Sequence, residues 1–348
     1  MVLFPRYGSA RRLSTYLATI VSLFAILYLI PNRKLLATRL NQSGKQLEWR
    51  IQRWNWISTS EEIFCQSAHE LPRTKPPIPN MVHFVILARE TKQVELSYSD
   101  FLAIKAVILR MNASEIKLHT TALNTANKWY LTIKHHITLI PIDLEEYRSP
   151  DGRPFTSICL AHQSDIIRLD ILTREGGIYL DTDVFALRSF SNLLTNQRDV
   201  LMGHEGGNRY GLCNAVTIAR PNSQFMELWH QSYSTFDSEQ WNEHSVRMPK
   251  LLQVQHPDLI CPLSPTTFFW PTWAVKHVEY MHEPITAEEK DELRENMATF
   301  GGAMYENQLA FHAVAAKDYL PLLTPEVVQE KDTRFNVLVR EIASAPLP

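Results

Sequence analysis

Apolar and polar positions between residues 78 and 234 fall into blocks that predict strands and helices in turn. Met81–Leu87 reads as a buried strand, and Ser99-Asp100 as the cap of a helix running to about Arg110. Glu115–His119 predicts a second strand, Asn127–Ile133 a short helix and Ile137–Ile142 a third strand. From about Ser157 to Glu175 the apolar residues Ile158, Leu160, Ile166, Ile167, Leu169, Ile171 and Leu172 recur at helical spacing. Gly176-Gly177 stops that helix, because glycine enters the left-handed region at little cost. Ile178-Tyr179-Leu180 follows as a short buried strand, then Val200–Gly203 and Ala215–Ala219 as further strands. Pro221-Asn222-Ser223 begins a helix through about Ser234. Strands alternating with helices predict an α/β domain, with a mainly parallel sheet and helices on both faces. Ligands of such sheets bind beyond the carboxyl ends of the strands.

Upstream the pattern changes. Leu13–Ile30 is an uncharged run of 18 residues, the lower bound for a membrane span. Arg6, Arg11 and Arg12 precede it and Arg33, Lys34 and Arg39 follow, so charge asymmetry does not set its orientation. An uncleaved signal anchor fits this run better than a cleaved signal peptide, whose apolar region is shorter and ends at small residues. The organisation that follows is a tail at 1–12, a transmembrane anchor at 13–30, a stem at 31–77, a main domain at 78–320 and a C-terminal tail at 321–348. The stem carries Trp49, Trp54 and Trp56 near Arg50 and Arg53, as in a short amphipathic helix. It closes on the Pro-rich segment Arg73–Pro79.

Composition narrows the choices only slightly. The chain is 45% apolar and 21% charged, with a net charge of −2, which gives no reason to expect a nucleic acid partner. Cys65, Cys159, Cys213 and Cys261 lack the C-x-x-C spacing of a zinc site. In an oxidising compartment they allow two disulfides in three connectivities; Cys159, in the apolar helix, reads equally as a buried thiol. Asn41 and Asn112 begin glycosylation triplets.

The chemistry concentrates at Asp181-Thr182-Asp183, directly after the strand Ile178–Leu180. Two carboxylates one residue apart at a strand end suit a hard divalent cation such as Mn²⁺ or Mg²⁺. Asp165 and Arg168 are three apart on the preceding helix and share a face. Among histidines, His83 lies inside a strand and reads as a core or nucleotide-edge residue rather than a metal ligand, His135-His136 as a solvated turn, and His162, one turn before Asp165, as an ordinary helix residue, with a cleft-facing position as the lesser reading. Gly203–Asn208 reads as either a loop beside a ligand or a plain turn, and Trp270-Pro271-Thr272-Trp273 as either a stacking surface or core.

The run Ser164-Asp165-Ile166-Ile167-Arg168, continued by Gly176-Gly177-Ile178-Tyr179-Leu180-Asp181-Thr182-Asp183, resembles glycosyltransferase family 32, the group with a DXD sugar-binding region. Ile78–Phe84 is similar to that family's opening strand, Asn214–Ala219 to its N-A segment, and Phe311-His312-Ala313 to its late histidine. The family's Trp after that histidine is replaced here around Lys317-Asp318-Tyr319. The resemblance implies a GT-A-like nucleotide-diphospho-sugar transferase fold and retaining transfer of a hexose from a UDP- or GDP-sugar to a glycan or glycolipid hydroxyl. It implies Asp181 and Asp183 as the catalytic pair holding Mn²⁺ (or Mg²⁺), with His312 completing the metal shell. Asp165, Arg168 and Asn214 would bind the donor substrate. It further implies a single-pass type II protein of the Golgi membrane with a luminal catalytic domain. Two alternatives use the same residues. Leu180–Val184 matches the D-x-D-x-[TV] signature of haloacid-dehalogenase-like phosphatases, though no later G-D-x-x-x-D follows. A non-catalytic sugar-binding relative would also keep all four charged residues.

Overall fold

The computed structural model describes residues 58–348, apart from 71–73, 89–92, 151, 207–208, 314–315 and 317. Leu13–Ile30, the three stem tryptophans and Asn41 lie outside the described residues. Within them, no helix is long and apolar enough to cross a membrane.

Helices α1 (Ser60–Ser67), α2 (Tyr98–Arg110), α3 (Lys128–Ile133), α4 (Leu160–Glu175), α5 (Gln224–Ser232) and α6 (Met248–Gln255) interleave with β1 (Met81–Ile86), β2 (Glu115–Thr120), β3 (Thr138–Pro141), β4 (Gly177–Leu180), β5 (Val184–Ala186), β6 (Val200–Glu205) and β7 (Gly211–Ala219). Then come β8 (Ile260–Leu263), α7 (Pro265–Phe268), α8 (Val275–His282), α9 (Ala287–Thr299), β9 (Ala310–His312), α10 (Pro325–Glu330) and α11 (Arg334–Ser344). Seven strands form one sheet in the order β3-β2-β1-β4-β7-β6-β8, while β5 and β9 form a separate antiparallel pair. In the sheet only β7 runs against its neighbours, pairing antiparallel with both β4 and β6. The sheet is therefore mainly parallel, and the ends of β1, β4 and β6 open on one edge.

The strand ends follow from local chemistry. Gly176 and Gly177 have φ of 67° and 97°, so the helix-to-strand turn lies where side chains are strained. A Cβ on Gly176 would also sit 2.5 Å from Pro221 Cδ, and one on Gly177 would sit 2.7 Å from Met81 O. The pair thus lets β4 enter the sheet tight against β1. Ser97, rather than Ser99, caps α2: its hydroxyl accepts from Asp100 N–H, and Asp100 Oδ2 accepts from Ser97 N–H at 2.9 Å. The cap sits two residues early because that reciprocal box needs the acid at the third helical position.

One sheet face is covered by α4, whose Ile166, Ile167, Leu169, Ile171 and Leu172 pack with Val85, Tyr179, Val200, Met202 and the α5 residues Phe225 and Trp229. Burying each such side chain stabilises the fold by about 1.5–3 kcal/mol. On the other face α7 packs against β6. There a Cβ on Gly203 would fall 2.8 Å from Phe269.

Both ends of the expected domain are longer than the hydrophobic pattern predicts. Residues read as the end of the stem form α1, joined to β8 by a Cys65–Cys261 disulfide. Residues read as a C-terminal tail form α10 and α11, with Phe335, Leu338 and Val339 buried. Cys159 and Cys213 are free thiols, so two disulfides do not form, and Cys159 stands at the N-cap of α4 rather than inside it.

Candidate active site

Helix α4 and strand β4 together present the charged groups. Asp165 and Arg168, one turn apart on α4, meet with Arg168 Nη2 3.2 Å from Asp165 Oδ1. Arg168 Nη2 also lies 3.1 Å from Asp181 Oδ1, and its guanidinium covers the Tyr179 ring at 4.3 Å. Backbone carbonyls of Ser164 and Asn214 accept from its Nε and Nη1. Burial opposes the guanidinium's charge, but Asp181, Tyr179 and Asp165 outweigh it, so Arg168 stays protonated. Tyr179 donates its phenol hydrogen to Asp181 Oδ1 at 2.7 Å. Burial pushes that phenol far up, which keeps it a donor.

A bulge in β7 brings in the amide. Opposite the single residue Gly203 of β6 stand the four β7 residues from Cys213 to Val216, between the pairs Met202–Thr217 and His204–Leu212. Bulges re-aim side chains beside active sites. Here Asn214 Nδ2 donates to Asp165 Oδ1 at 2.7 Å, and Ala215 O accepts from Asp181 N–H at 2.9 Å.

The two-stranded pair delivers the histidine. Val184 of β5 registers with His312 of β9, which sets the imidazole Nε2 3.2 Å from Asp183 Oδ1. One ligand atom from each of Asp181, Asp183 and His312 lies within 4.8 Å of the others. Burial and the neighbouring Asp183 charge raise the Asp181 pKa, although Arg168 opposes them. Burial works the same way on Asp183, but His312 outweighs it and holds that carboxyl below its usual range. His312 is raised in turn, because Asp183 and Asp181 overcome the burial that would discharge it.

These groups face a cavity of about 530 Å³ at the carboxyl edge of the sheet. All six residues singled out as site candidates line it: Asp165, Arg168, Asp181, Asp183, Asn214 and His312. His162 lines it too, with Nδ1 3.5 Å from Asp165 Oδ2. His83 is core, bonded to His119 and to Gly176 O. In the 203–208 segment the last two residues of β6 part company. Glu205 turns into the cavity, while His204 is buried against Glu62. Trp270 is packed in the core, and Trp273 lies on the cavity rim. Sequence reasoning missed Tyr179 as a partner of Asp181, Glu205 individually, and Tyr210 and Trp241 altogether. Only the phenol beside the acid pair left a signal, in the Tyr179-Leu180-Asp181 spacing.

Comparison with known proteins gives the same reading from another direction. Residues 83–200 match the family described as glycosyltransferase sugar-binding region containing DXD motif. The chain is 33% identical over 275 residues to Glucan organizing enzyme 1 of Cryptococcus neoformans var. grubii, covering 76% of this chain and 70% of that protein. Among solved structures, PaToxG glycosyltransferase has a TM-score of 0.40 at 14% identity, covering 86% of this chain and 95% of its own. The glycosyltransferase GlyE of Streptococcus pneumoniae TIGR4 has a TM-score of 0.43 at 12% identity, covering 77% of this chain and 61% of its own. With the extent of the sequence match and the sugar-binding region both in hand, the chain belongs to the DXD-containing glycosyltransferase family and is a glycosyltransferase.

Proposed function

We propose that the protein transfers a hexose from a nucleoside-diphosphate sugar to a hydroxyl of a glycan or glycolipid, with a divalent cation and with retention at the anomeric carbon. The convergence of Asp181, Asp183 and His312 at the end of β4, beside Asp165, Arg168 and Asn214, carries this reading. Two carboxylates and an imidazole with ligand atoms within 4.8 Å of one another fit a divalent cation. Such a cation, Mn²⁺ in this reading, supplies positive charge to the departing diphosphate.

The chain's own groups do the rest. Asp165 is held by Asn214 and Arg168, and it would accept hydrogens from donor-sugar hydroxyls. Arg168 keeps Asp165 and Asp181 in register, and Tyr179 orients Asp181 through its phenol hydrogen. The nucleoside would enter a neighbouring cavity of about 360 Å³ between Ala88, which follows β1, and Leu160 at the start of α4. Attack from the face of departure needs no enzyme nucleophile. Glu205 in the main cavity supports a second route, in which its carboxylate displaces the nucleoside diphosphate to form a transient glycosyl ester, and the acceptor hydroxyl, losing its proton, then displaces the carboxylate.

UDP-galactose, GDP-mannose and UDP-N-acetylglucosamine are the donors to compare. Release of UDP or GDP from one donor, dependent on Mn²⁺ and lost on EDTA and in Asp183→Ala, is the expected result. If no donor is turned over and no metal-dependent nucleotide binding occurs, the proposal fails and the non-catalytic reading gains. The phosphatase reading predicts phosphate release without a sugar donor, and the family match leaves it no support.

We also propose a Golgi membrane location, single-pass type II, with this domain luminal. The Cys65–Cys261 disulfide suits an oxidising lumen, and Asn112 is exposed as a glycan acceptor must be. On intact microsomes the domain should resist added protease; digestion without detergent would reverse the orientation.

A further inference from the structure

Among the described residues, four aromatic side chains are largely exposed: Phe64, Tyr210, Trp241 and Trp273. Three of the four line the main cavity. Trp241 is 69% exposed and Trp273 54%, a costly arrangement for residues that normally bury most of their surface. They arrive from separate segments. Tyr210 comes from the β6–β7 connection, Trp241 from the segment between α5 and α6, and Trp273 from the segment between α7 and α8. Aromatic surface gathered this way around one opening points to a ligand.

We infer that this rim is the acceptor subsite and that its ligand is a chain of hexose units, stacked on Trp241 and Trp273. The inference rests on the transferase reading of the same cavity. A pyranose ring offers an apolar C–H face to an indole and hydroxyls at its edge. Asn242 and Ser245 line the same cavity and offer polar groups suited to those edges. The rim also connects to the chemistry. The Trp241 ring lies 5.6 Å from that of His162, and His162 lies 3.5 Å from Asp165.

The location separates this subsite from the nucleoside. Tyr210 and Trp273 belong to the β7-β6-β8 half of the sheet edge, whereas the smaller cavity with Ala88 lies on the β1-β2-β3 half. Asp181, after β4, stands between the halves. The wall behind Trp241 is firm: a π-helical turn, Glu243–Arg247, presses on β7 so closely that a Cβ on Gly211 would sit 2.2 Å from Val246 Cγ1. A convex apolar patch would favour a lipid surface; a cavity lined by polar groups together with its aromatics favours sugar.

The test uses the full chain in detergent with four linear tetrasaccharides: maltotetraose, cellotetraose, laminaritetraose and a mannotetraose. Affinity is read by tryptophan fluorescence and by saturation-transfer NMR, neither of which needs turnover. At least one tetrasaccharide should bind, its monosaccharide about tenfold more weakly. Trp241→Ala and Trp273→Ala should each lose about tenfold, and the Phe variants should recover part of that. Mn²⁺-dependent UDP or GDP binding should be unchanged in these variants but lost in Asp183→Ala, which reports on the transferase reading separately. The inference is overturned if no tetrasaccharide binds, if both alanine variants bind sugar normally, or if they lose nucleotide binding instead.

Discussion

Replacing Glu62 by glutamine should destabilise the domain by about 3 kcal/mol at neutral pH. The Glu62 carboxylate is fully buried, yet both oxygens are saturated. Oε1 accepts from Arg209 Nε at 2.6 Å and His204 Nδ1 at 2.8 Å. Oε2 accepts from Arg209 Nη2 and the Thr59 N–H, both at 2.8 Å. Burial alone would raise its pKa, but these donors outweigh it and bring the value from 4.5 to about 2. The gap, at about 1.4 kcal/mol per pH unit, gives about 3 kcal/mol. A lowered acid pKa stabilises fully above the unfolded value near 4.5, and the contribution fades as pH falls through about 2. Urea unfolding of wild type and Glu62→Gln should therefore show a constant difference from pH 5 to 8 that shrinks below pH 4.5. A difference under about 0.5 kcal/mol, or one that stays level down to pH 3, would refute the reasoning.

Further outcomes can be measured alongside. Asp183→Asn should cut donor turnover at least about a hundredfold and weaken Mn²⁺ binding in calorimetry; His312→Ala should weaken Mn²⁺ binding by about tenfold or more. Arg168→Ala leaves Asp165 and Asp181 without their shared cation, so it should cost about 3–5 kcal/mol in urea unfolding; a loss confined to sugar affinity would mean the two acids do not depend on it. The Cys65–Cys261 bond closes a segment with a sequence separation of 196, so a Cys65→Ser, Cys261→Ser variant should lose about 5 kcal/mol. Reductant should lower the unfolding midpoint of the wild type to match, and leave the double variant alone.

Legibility in the sequence followed sequence distance. Asp165, Arg168, Asp181 and Asp183 lie within one helix-turn-strand unit, so helical spacing and a glycine stop were enough to bring them together. The parallel strands through β4 were equally plain, because each buried run is short and bounded by turn residues. Asn214 and His312 were accessible only through resemblance, since a β7 bulge and a β5–β9 pairing set their positions. Trp241 sits in a polar stretch with no period at all, and only the packing of the π-helical turn shows which way it faces. Glu62 looks like an ordinary acid in the first turn of a helix. Its partners, His204 and Arg209, come from a hairpin far along the chain.

The β5–β9 pair also bears on when the enzyme is made competent. Val184–Ala186 leaves the ribosome long before Ala310–His312, and the imidazole reaches Asp183 only when those two segments zip together. A nascent or truncated chain can display both acids and still lack their nitrogen partner. The Asp-Asp-His cluster is thus completed only once Ala310–His312 has been made and has paired, well after both acids are in place.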